Sequence, residues 1–136
     1  MAEPRWVERL IVDAIHFDQV REHGGLSGLR DENALEPALA RPRNKRAYDS
    51  IHDLAELAAA YGHGLVTSHP YRDGNKRTAF LIMVIFLGLN GRDLDAPEAE
   101  VVSIMLAAAE KRCSEADLAA WLRSHMVPLR RSADKR

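Results

Sequence analysis

The chain has 136 residues, with 19 Lys and Arg residues against 20 Asp and Glu residues, so its net charge is close to zero. This length supports a single core of ordinary domain size. The balanced charge gives no general attraction to nucleic acid or to an anionic membrane surface, so we expect neither as a direct partner. The longest apolar run falls short of the roughly 20 residues that a spanning helix needs. Because the N-terminus also lacks a signal segment, we expect a cytoplasmic protein.

The spacing of apolar residues predicts helices nearly throughout and no strand. The first helix is expected to end at Gly24, the first of a glycine pair. Asp31 can cap a short second helix, which Pro42 is expected to end. The third helix is expected to begin at Ser50, since the pattern Ser50-x-x-Asp53 resembles a capping box. The chain is therefore predicted to be all-α.

Three more helices are predicted in the second half of the chain. The apolar run 79–89 predicts a buried helix that ends at Asn90, and Pro97 can lie in the first turn of the next one. A capping-box pattern beginning at Ser114 predicts the start of the last helix. Residues 127–136 are basic and lack periodicity, so we expect a disordered tail there.

The segment directly ahead of the apolar run combines a titratable base, a carboxylate, an amide and cations. Its sequence is His69-Pro70-Tyr71-Arg72-Asp73-Gly74-Asn75-Lys76-Arg77. If the run is a buried helix, its first turn presents free backbone N–H groups and the positive end of the helix dipole to solvent. Anions bind readily at such a position. The segment therefore predicts a nucleotide-phosphate site.

Each residue type suits a step of phosphate chemistry. Histidine takes up a proton readily near neutral pH, so His69 is the candidate general base. Asp73 offers a hard oxygen ligand for Mg²⁺, which usually takes one or two protein carboxylates together with substrate phosphates. Asn75 can either donate to a phosphate or orient Asp73. Lys76 and Arg77 carry the positive charge that a transferring phosphoryl group requires.

The same residues, taken singly, have ordinary structural explanations. His69 can be a surface or capping histidine, Asp73 can be the N-cap of the following helix, and Lys76 and Arg77 can be solvated charges. Together these explanations weaken, because two cations in the first turn oppose the helix dipole unless an anion binds there. Gly74 allows a tight turn or a close approach to a ligand. The set therefore favours a functional site.

Residues 69–77 resemble the signature of the Fic/Doc superfamily, written H-P-F-x-x-G-N-x-R for Fic, and most closely that of the death-on-curing (Doc) toxins. Residues 23–31 resemble the family's G-G-L-x-G-x-R-D turn, and residues 38–42 resemble its A-L-A-R-P segment. The resemblance spans most of residues 5–125. It implies one compact, all-helical Fic/Doc domain of about six helices, which we place at residues 1–126.

The resemblance also implies the activity. Doc-type proteins transfer the γ-phosphoryl group of ATP with Mg²⁺, which gives His69 the role of base, Asp73 that of metal ligand and residues 74–77 that of phosphate ligands. Fic adenylyltransferases carry Gly between the Asn and the Arg where Doc-type kinases carry Lys, so Lys76 favours the kinase. Gly74 favours the alternative, a Fic-type adenylyltransferase, because the best-known Doc toxin has Ala there. A non-catalytic binding module that kept the loop is a third possibility.

Partners follow from the same resemblance. The implied target is elongation factor Tu, whose phosphorylation stops translation, and the protein would be the toxin of a type II toxin–antitoxin pair. Many Fic enzymes carry an internal inhibitory helix with Ser or Thr four residues before a Glu, and no Glu of this sequence has that neighbour. We therefore expect a separate antitoxin that folds into a groove beside the active site.

Several other residues receive weaker assignments. The cationic segment 41–48 is expected to be a loop, which in this superfamily corresponds to a flap that positions the target. Tyr71 replaces the usual Phe and is expected to alter substrate contacts. Cys113 is the single cysteine, so no internal disulfide can form. The remaining histidines show no zinc-ligand spacing and are expected to be packing or surface residues: His16, His23, His52, His63 and His125.

Overall fold

The computed structural model describes residues 3–130, which form six helices and one two-stranded antiparallel sheet. The prediction of an all-helical domain with about six helices is confirmed. None of these helices is long and apolar enough to cross a membrane. In chain order the elements are α1 (Arg9–His23), α2 (Glu32–Asp49), α3 (Leu54–Ser68), α4 (Asn75–Leu89), β1 (Arg92–Leu94), α5 (Glu98–Ala109), α6 (Glu115–His125) and β2 (Met126–Pro128).

Helix α3 lies at the centre and packs against α2, α4, α5 and α6. Small residues allow its neighbours to approach closely: a Cβ added at Gly62 would lie 2.3 Å from Met83 Sδ on α4. On another side of α3, a Cβ at Gly64 would lie 3.6 Å from the Ala38 carbonyl oxygen on α2. The sequence predicts burial of α4, but α4 buries mainly one side and ends at the exposed Leu89. The two helices together hold the loop that joins them.

The start of the chain is anchored on this core, which fixes the position of α1. The Trp6 ring stacks on Phe86 of α4, with ring centroids 5.8 Å apart. The backbone N–H of Val7 donates to the hydroxyl of Tyr61 on α3 at 3.0 Å. Helix α1 then runs across α4 and presents Val12, His16 and Val20 on its buried face.

Helix α2 corrects one prediction, because it continues through Pro42 for a further seven residues and contains Pro37 as well. A proline inside a helix removes a hydrogen bond and costs about 3 kcal/mol. Burial of Pro42 and ion pairs on both sides of it offset that cost: Arg41 Nε and Lys45 Nζ both donate to the Glu115 carboxylate, at 2.7 and 2.6 Å. The cationic segment is therefore helical and is not a loop.

The Glu115 carboxylate joins α6 to α2 in an environment that favours its charged form. Burial raises the pKa of this carboxyl, but the hydrogen bonds from Arg41 and Lys45 outweigh burial, and its pKa lies below the ordinary value. A partly buried carboxylate with two cationic donors is well satisfied. This ion pair holds the second half of α2 against the core.

The predicted helix caps include one that the structure confirms, at α6, and one that it corrects, at α3. At α6, both bonds of the predicted capping box form between Ser114 and Asp117. At α3, the cap is Asp53, whose side chain accepts from the Glu56 N–H, and Ser50 instead ends α2 in a left-handed conformation. The predicted start of α3 at Ser50 is therefore wrong, because the continuation of α2 takes up that residue.

The two short strands also differ from the prediction, which contained no strand. Leu94 of β1 pairs with Met126 of β2, and the Leu129 N–H donates to the Gly91 carbonyl at 3.1 Å. Each strand has three residues, too few for a period-two pattern to be visible in the sequence. The predicted tail is therefore wrong at its start, since Val127 is in a strand; residues 131–136 lie outside the described residues.

Candidate active site

The six residues predicted for the site lie in the loop between α3 and α4 and in the first turn of α4. His69 directly follows α3, and Gly74 is the N-cap position of α4. Both adopt left-handed backbone conformations, with φ of 53° at His69 and 77° at Gly74. Asn75 is buried, whereas four residues are exposed: His69, Asp73, Lys76 and Arg77. The loop thus presents its base, carboxylate and cations to solvent.

The turn between α1 and α2 holds the backbone of this loop, mainly through hydrogen bonds from Arg30. Its guanidinium donates to the Ser68 and His69 carbonyls at 2.9 and 2.6 Å, and its backbone N–H donates to the Pro70 carbonyl at 2.7 Å. A cation that satisfies the last carbonyls of a helix also interacts favourably with the helix dipole. Arg30 therefore fixes the backbone from which the His69 ring projects. Arg30 belongs to a motif that was evident in the sequence, but this role could not be assigned from the sequence.

Asp73 is held at its carboxylate and at its backbone. The Leu26 N–H donates to Oδ2 at 2.6 Å, and His16 Nε2 lies 2.8 Å from the Asp73 carbonyl oxygen. The other carboxylate oxygen, Oδ1, has no hydrogen-bond partner within residues 3–130. Asp73 does not cap α4, because the N-cap position is Gly74 and no side chain accepts from that helix end. The structural explanation of Asp73 as an N-cap is therefore wrong.

A cation at Asp73 would have this one carboxylate as its protein ligand. In the described part of the chain, no three His, Cys, Asp or Glu residues are grouped to hold a metal. Mg²⁺ keeps several waters and binds through one or two carboxylates together with substrate phosphates. The unpartnered Oδ1 and the free helix N-terminus beside it fit that ion.

Asn75 forms part of the loop's own framework. Its Oδ1 accepts from the Tyr71 N–H at 3.1 Å, and its Nδ2 donates to the Tyr71 carbonyl at 2.9 Å. Both ends of the amide are thus used on one backbone residue, and the side chain is buried. This geometry gives Asn75 a role in shaping the loop. Its predicted contact with a phosphate would rely on the second Nδ2 hydrogen.

The start of α4 carries cations that have no anionic side-chain partner within residues 3–130. Its first turn contains no acidic residue, and Lys76, Arg77 and Arg72 have no side-chain partner within residues 3–130. A cation at a helix N-terminus is unfavourable by roughly 0.3–1 kcal/mol. An anion bound there would relieve this repulsion and satisfy the free N–H groups. Arg72 adds a third cation that the sequence analysis did not assign.

Tyr71 corrects the expectation of a substrate contact. It is buried, its ring stacks on His16 with centroids 3.6 Å apart, and its hydroxyl donates to Asp13 at 2.7 Å. Burial, followed by the hydrogen bond to Asp13, raises the pKa of Tyr71 well above its ordinary value, so the hydroxyl keeps its proton. Tyr71 therefore joins the loop to α1 and is shielded from solvent.

An open groove with a volume of about 650 Å³ runs between α2 and α3 and ends beside the loop. Ser68, which precedes His69 in the chain, lines it. The other polar lining residues include Asn33, Arg41, Asn44, Lys45 and His63. The predicted target-positioning cations thus lie along the wall of a groove on α2. An occupant of this groove would pass within one residue of the candidate base.

Comparison with known proteins places these features in a family. A sequence profile of the Fic/DOC family matches residues 6–87. Over 98 residues the chain is 34% identical to "Protein kinase doc" of Escherichia phage P1. The matched region covers 71% of this chain and 78% of that protein. Over 104 residues it is 36% identical to "Toxin Doc" of Mycolicibacterium smegmatis (strain ATCC 700084 / mc(2)155), covering 73% of this chain and 78% of the relative. The chain belongs to the Fic/DOC family, and both relatives are Doc proteins.

Proposed function

We propose that this protein is a Doc-type toxin that transfers the γ-phosphoryl group of ATP, with Mg²⁺, to a hydroxyl of a translation factor. One observation carries the proposal: an exposed carboxylate, Asp73, lies one residue before the start of α4. Within residues 3–130, that helix end has free N–H groups, two unpaired cations and no acidic residue in its first turn. The names of the two relatives support a toxin and a protein kinase. Elongation factor Tu is proposed as the target on family resemblance alone.

The proposed chemistry divides among few side chains. His69 takes the proton of the acceptor hydroxyl, which then attacks the terminal phosphorus as the bond to ADP breaks. Asp73 Oδ1 would hold Mg²⁺, which supplies charge neutralisation to the phosphates. Lys76 and Arg77, with the N–H groups of α4, bind phosphate oxygens and stabilise the charge on the transferring group. Asn75 keeps the loop in shape.

Two residues bear on whether the protein transfers a phosphoryl or an adenylyl group. Lys76 occupies the position that is Lys in Doc-type kinases and Gly in Fic adenylyltransferases, which supports the kinase. Gly74 was the argument for the adenylyltransferase, but its backbone is left-handed, with φ of 77°. A residue with a side chain costs roughly 1–2 kcal/mol in that conformation. The backbone turn therefore explains the glycine without reference to the type of reaction. The adenylyltransferase remains the alternative, with weaker support.

The groove between α2 and α3 is the proposed docking site for the acceptor segment. Asn33 and Asn44 line it about 11 residues apart on α2, a span of roughly 16 Å. About five residues of extended polypeptide cover that length. Amide side chains such as these can pair with a peptide backbone, and Ser68 at the groove's wall leads directly to His69. The acceptor hydroxyl could then reach the base.

The proposed antitoxin would bind along α1. Leu10, Ala14 and Phe17 lie on one face of this helix and are exposed, Leu10 by 79% and Phe17 by 63%. An apolar stripe of this kind suits an amphipathic helix laid against it. Because α1 ends at the glycine turn that contacts Asp73, a partner on this stripe would lie beside the active-site loop.

The direct test is intact-mass analysis of purified elongation factor Tu after incubation with the protein and Mg-ATP. A gain of one phosphoryl group supports the proposal, and a gain of one adenylyl group supports the alternative. If the factor is unchanged while another protein in a bacterial extract gains a phosphoryl group, the target is wrong but the chemistry holds. No modified protein in either sample would favour a binding module.

Gly25→Ala is expected to lower kcat/KM by about 10²-fold, because a 1 Å displacement of a catalytic group has about that effect. Gly25 has φ of 111°, and a Cβ there would lie 2.9 Å from Asp73 Cβ, so Asp73 must move. Gly28→Ala is the matched control, since Gly28 also has positive φ, 93°, but open space around it. Steady-state rates and thermal unfolding of both variants give the comparison. Equal losses of activity would show that backbone strain alone is responsible.

Phe17→Asp is expected to abolish copurification with a cognate antitoxin while leaving phosphoryl transfer unchanged, because it places a charge on the proposed docking stripe. Val102→Asp is the control. The Val102 side chain is 62% exposed, nearly the same fraction as Phe17, but it lies on α5 and not on the proposed docking stripe. Coexpression followed by affinity purification measures the complex. Retention of the antitoxin by the Phe17 variant would place its site elsewhere.

A further inference from the structure

We propose that His16 is a positioning residue that holds Asp73 and the start of α4 in their active geometry. The inference rests on the proposed function, in which Asp73 is the metal ligand. His16 lies on the buried face of α1 and is only 4% exposed, so it cannot take part in the reaction itself. Its Nε2 lies 2.8 Å from the Asp73 carbonyl oxygen. Because a carbonyl oxygen only accepts, Nε2 must carry the hydrogen.

The His16 ring is itself held in place by the loop that it supports. Tyr71 stacks on it almost in parallel, with ring centroids 3.6 Å apart and an interplanar angle of 9°. The Tyr71 hydroxyl donates to Asp13 one turn earlier on α1, and Asp13 also accepts from Arg9 Nε at 3.1 Å. Each partner restricts the next, so the imidazole has little freedom to turn its Nε2 away from Asp73.

This arrangement acts on the metal ligand and on the phosphate-binding helix end together. With His16 on its carbonyl and Leu26 on Oδ2, Asp73 is fixed at two points, and Oδ1 remains for a cation. The bonded carbonyl belongs to the peptide that joins Asp73 to Gly74, the left-handed residue from which α4 starts. His16 also approaches that residue, since a Cβ at Gly74 would lie 3.8 Å from Nε2. Loss of the bond should therefore loosen both groups.

A matched pair of variants separates the hydrogen bond from packing. His16→Gln keeps an N–H donor that can reach the Asp73 carbonyl, whereas His16→Met has similar length and volume but no donor. Partners that orient a metal ligand typically affect metal affinity or activity by 10- to 100-fold. We expect the Met variant to need about 10-fold more Mg²⁺ for half-maximal phosphoryl transfer, and the Gln variant to stay within about 3-fold of the unmodified protein.

A second readout needs no activity and no ligand. The Leu26 amide is bonded to the Asp73 carboxylate, so its hydrogen exchange by NMR reports how firmly Asp73 is held. We expect faster exchange at Leu26 in the Met variant and near-normal exchange in the Gln variant, at matched thermal stability. Equal exchange in the two variants overturns the inference, whether or not the protein transfers phosphoryl groups. If the unmodified protein shows no transfer but the exchange differs as expected, the proposed function fails and the positioning role stands.

Discussion

Replacement of His69 is expected to lower kcat for phosphoryl transfer by about 10²- to 10⁴-fold, the usual contribution of a positioned general base. The structure supports this expectation in that His69 is exposed on a loop whose backbone Arg30 clamps at two carbonyls. His69→Asn is the preferred variant, because His69 has φ of 53° and Asn tolerates left-handed backbone better than Ala. The loop should then keep its shape while the base is lost.

Single-turnover rates with Mg-ATP and the acceptor protein measure this effect. His52→Asn is the control, since His52 is exposed and has no side-chain partner among the described residues, yet lies before α3 and away from the loop. The control should retain the full rate. A His69→Asn variant that folds normally and keeps its rate would show that the acceptor hydroxyl loses its proton by another route.

Asp73→Asn is expected to lower kcat/KM by about 10³-fold, because the charge stabilisation that a bound metal supplies is worth several kcal/mol. The substitution is nearly isosteric, and the Asn oxygen can still accept from the Leu26 N–H that now bonds Oδ2. The loop should therefore remain in place, and the loss should reflect the missing negative charge. Raising the Mg²⁺ concentration is expected to restore part of the activity.

The rate as a function of Mg²⁺ concentration tests this second expectation. Asp95→Asn is the control, because Asp95 is an exposed carboxylate whose side chain has no partner within residues 3–130. The control should follow the unmodified protein at every concentration. If the Asp73→Asn variant shows an unchanged dependence on Mg²⁺, Asp73 is not a metal ligand. Phosphate binding would then rest on the start of α4 alone.

Features that depend on residues close together in the chain were predictable from the sequence. The capping box at Ser114 and the end of α4 at Asn90 both arise from contacts within a few residues. The continuation of α2 through Pro42 was not predictable, because it depends on Glu115 far along the chain. The pairing of β1 with β2 likewise joins segments separated by α5 and α6. In both cases, contacts between distant parts of the chain outweigh the preference of the local sequence.

The candidate site divides in the same way. Spacing and residue type identified the loop from His69 to Arg77, because its chemistry lies within one stretch of sequence. His16 and Arg30 were missed, since their contacts join the loop to residues 57 and 39 positions earlier. A usable signal for His16 was present but was not used: His16 lies midway between Val12 and Val20 at the spacing of one helix face, which the structure shows to be the buried face of α1. A buried polar residue of this kind requires a partner.

The central claim is that the terminal phosphoryl group of ATP is transferred to a protein by this loop. Parallel incubations of a bacterial extract with ATP labelled at the γ-phosphate or at the α-phosphate, with the unmodified protein and with His69→Asn, test it most directly. The proposed function predicts a protein band labelled only from the γ-phosphate and absent with the variant. Label transferred from the α-phosphate would show an adenylyltransferase, and no label from either position would contradict an enzymatic role.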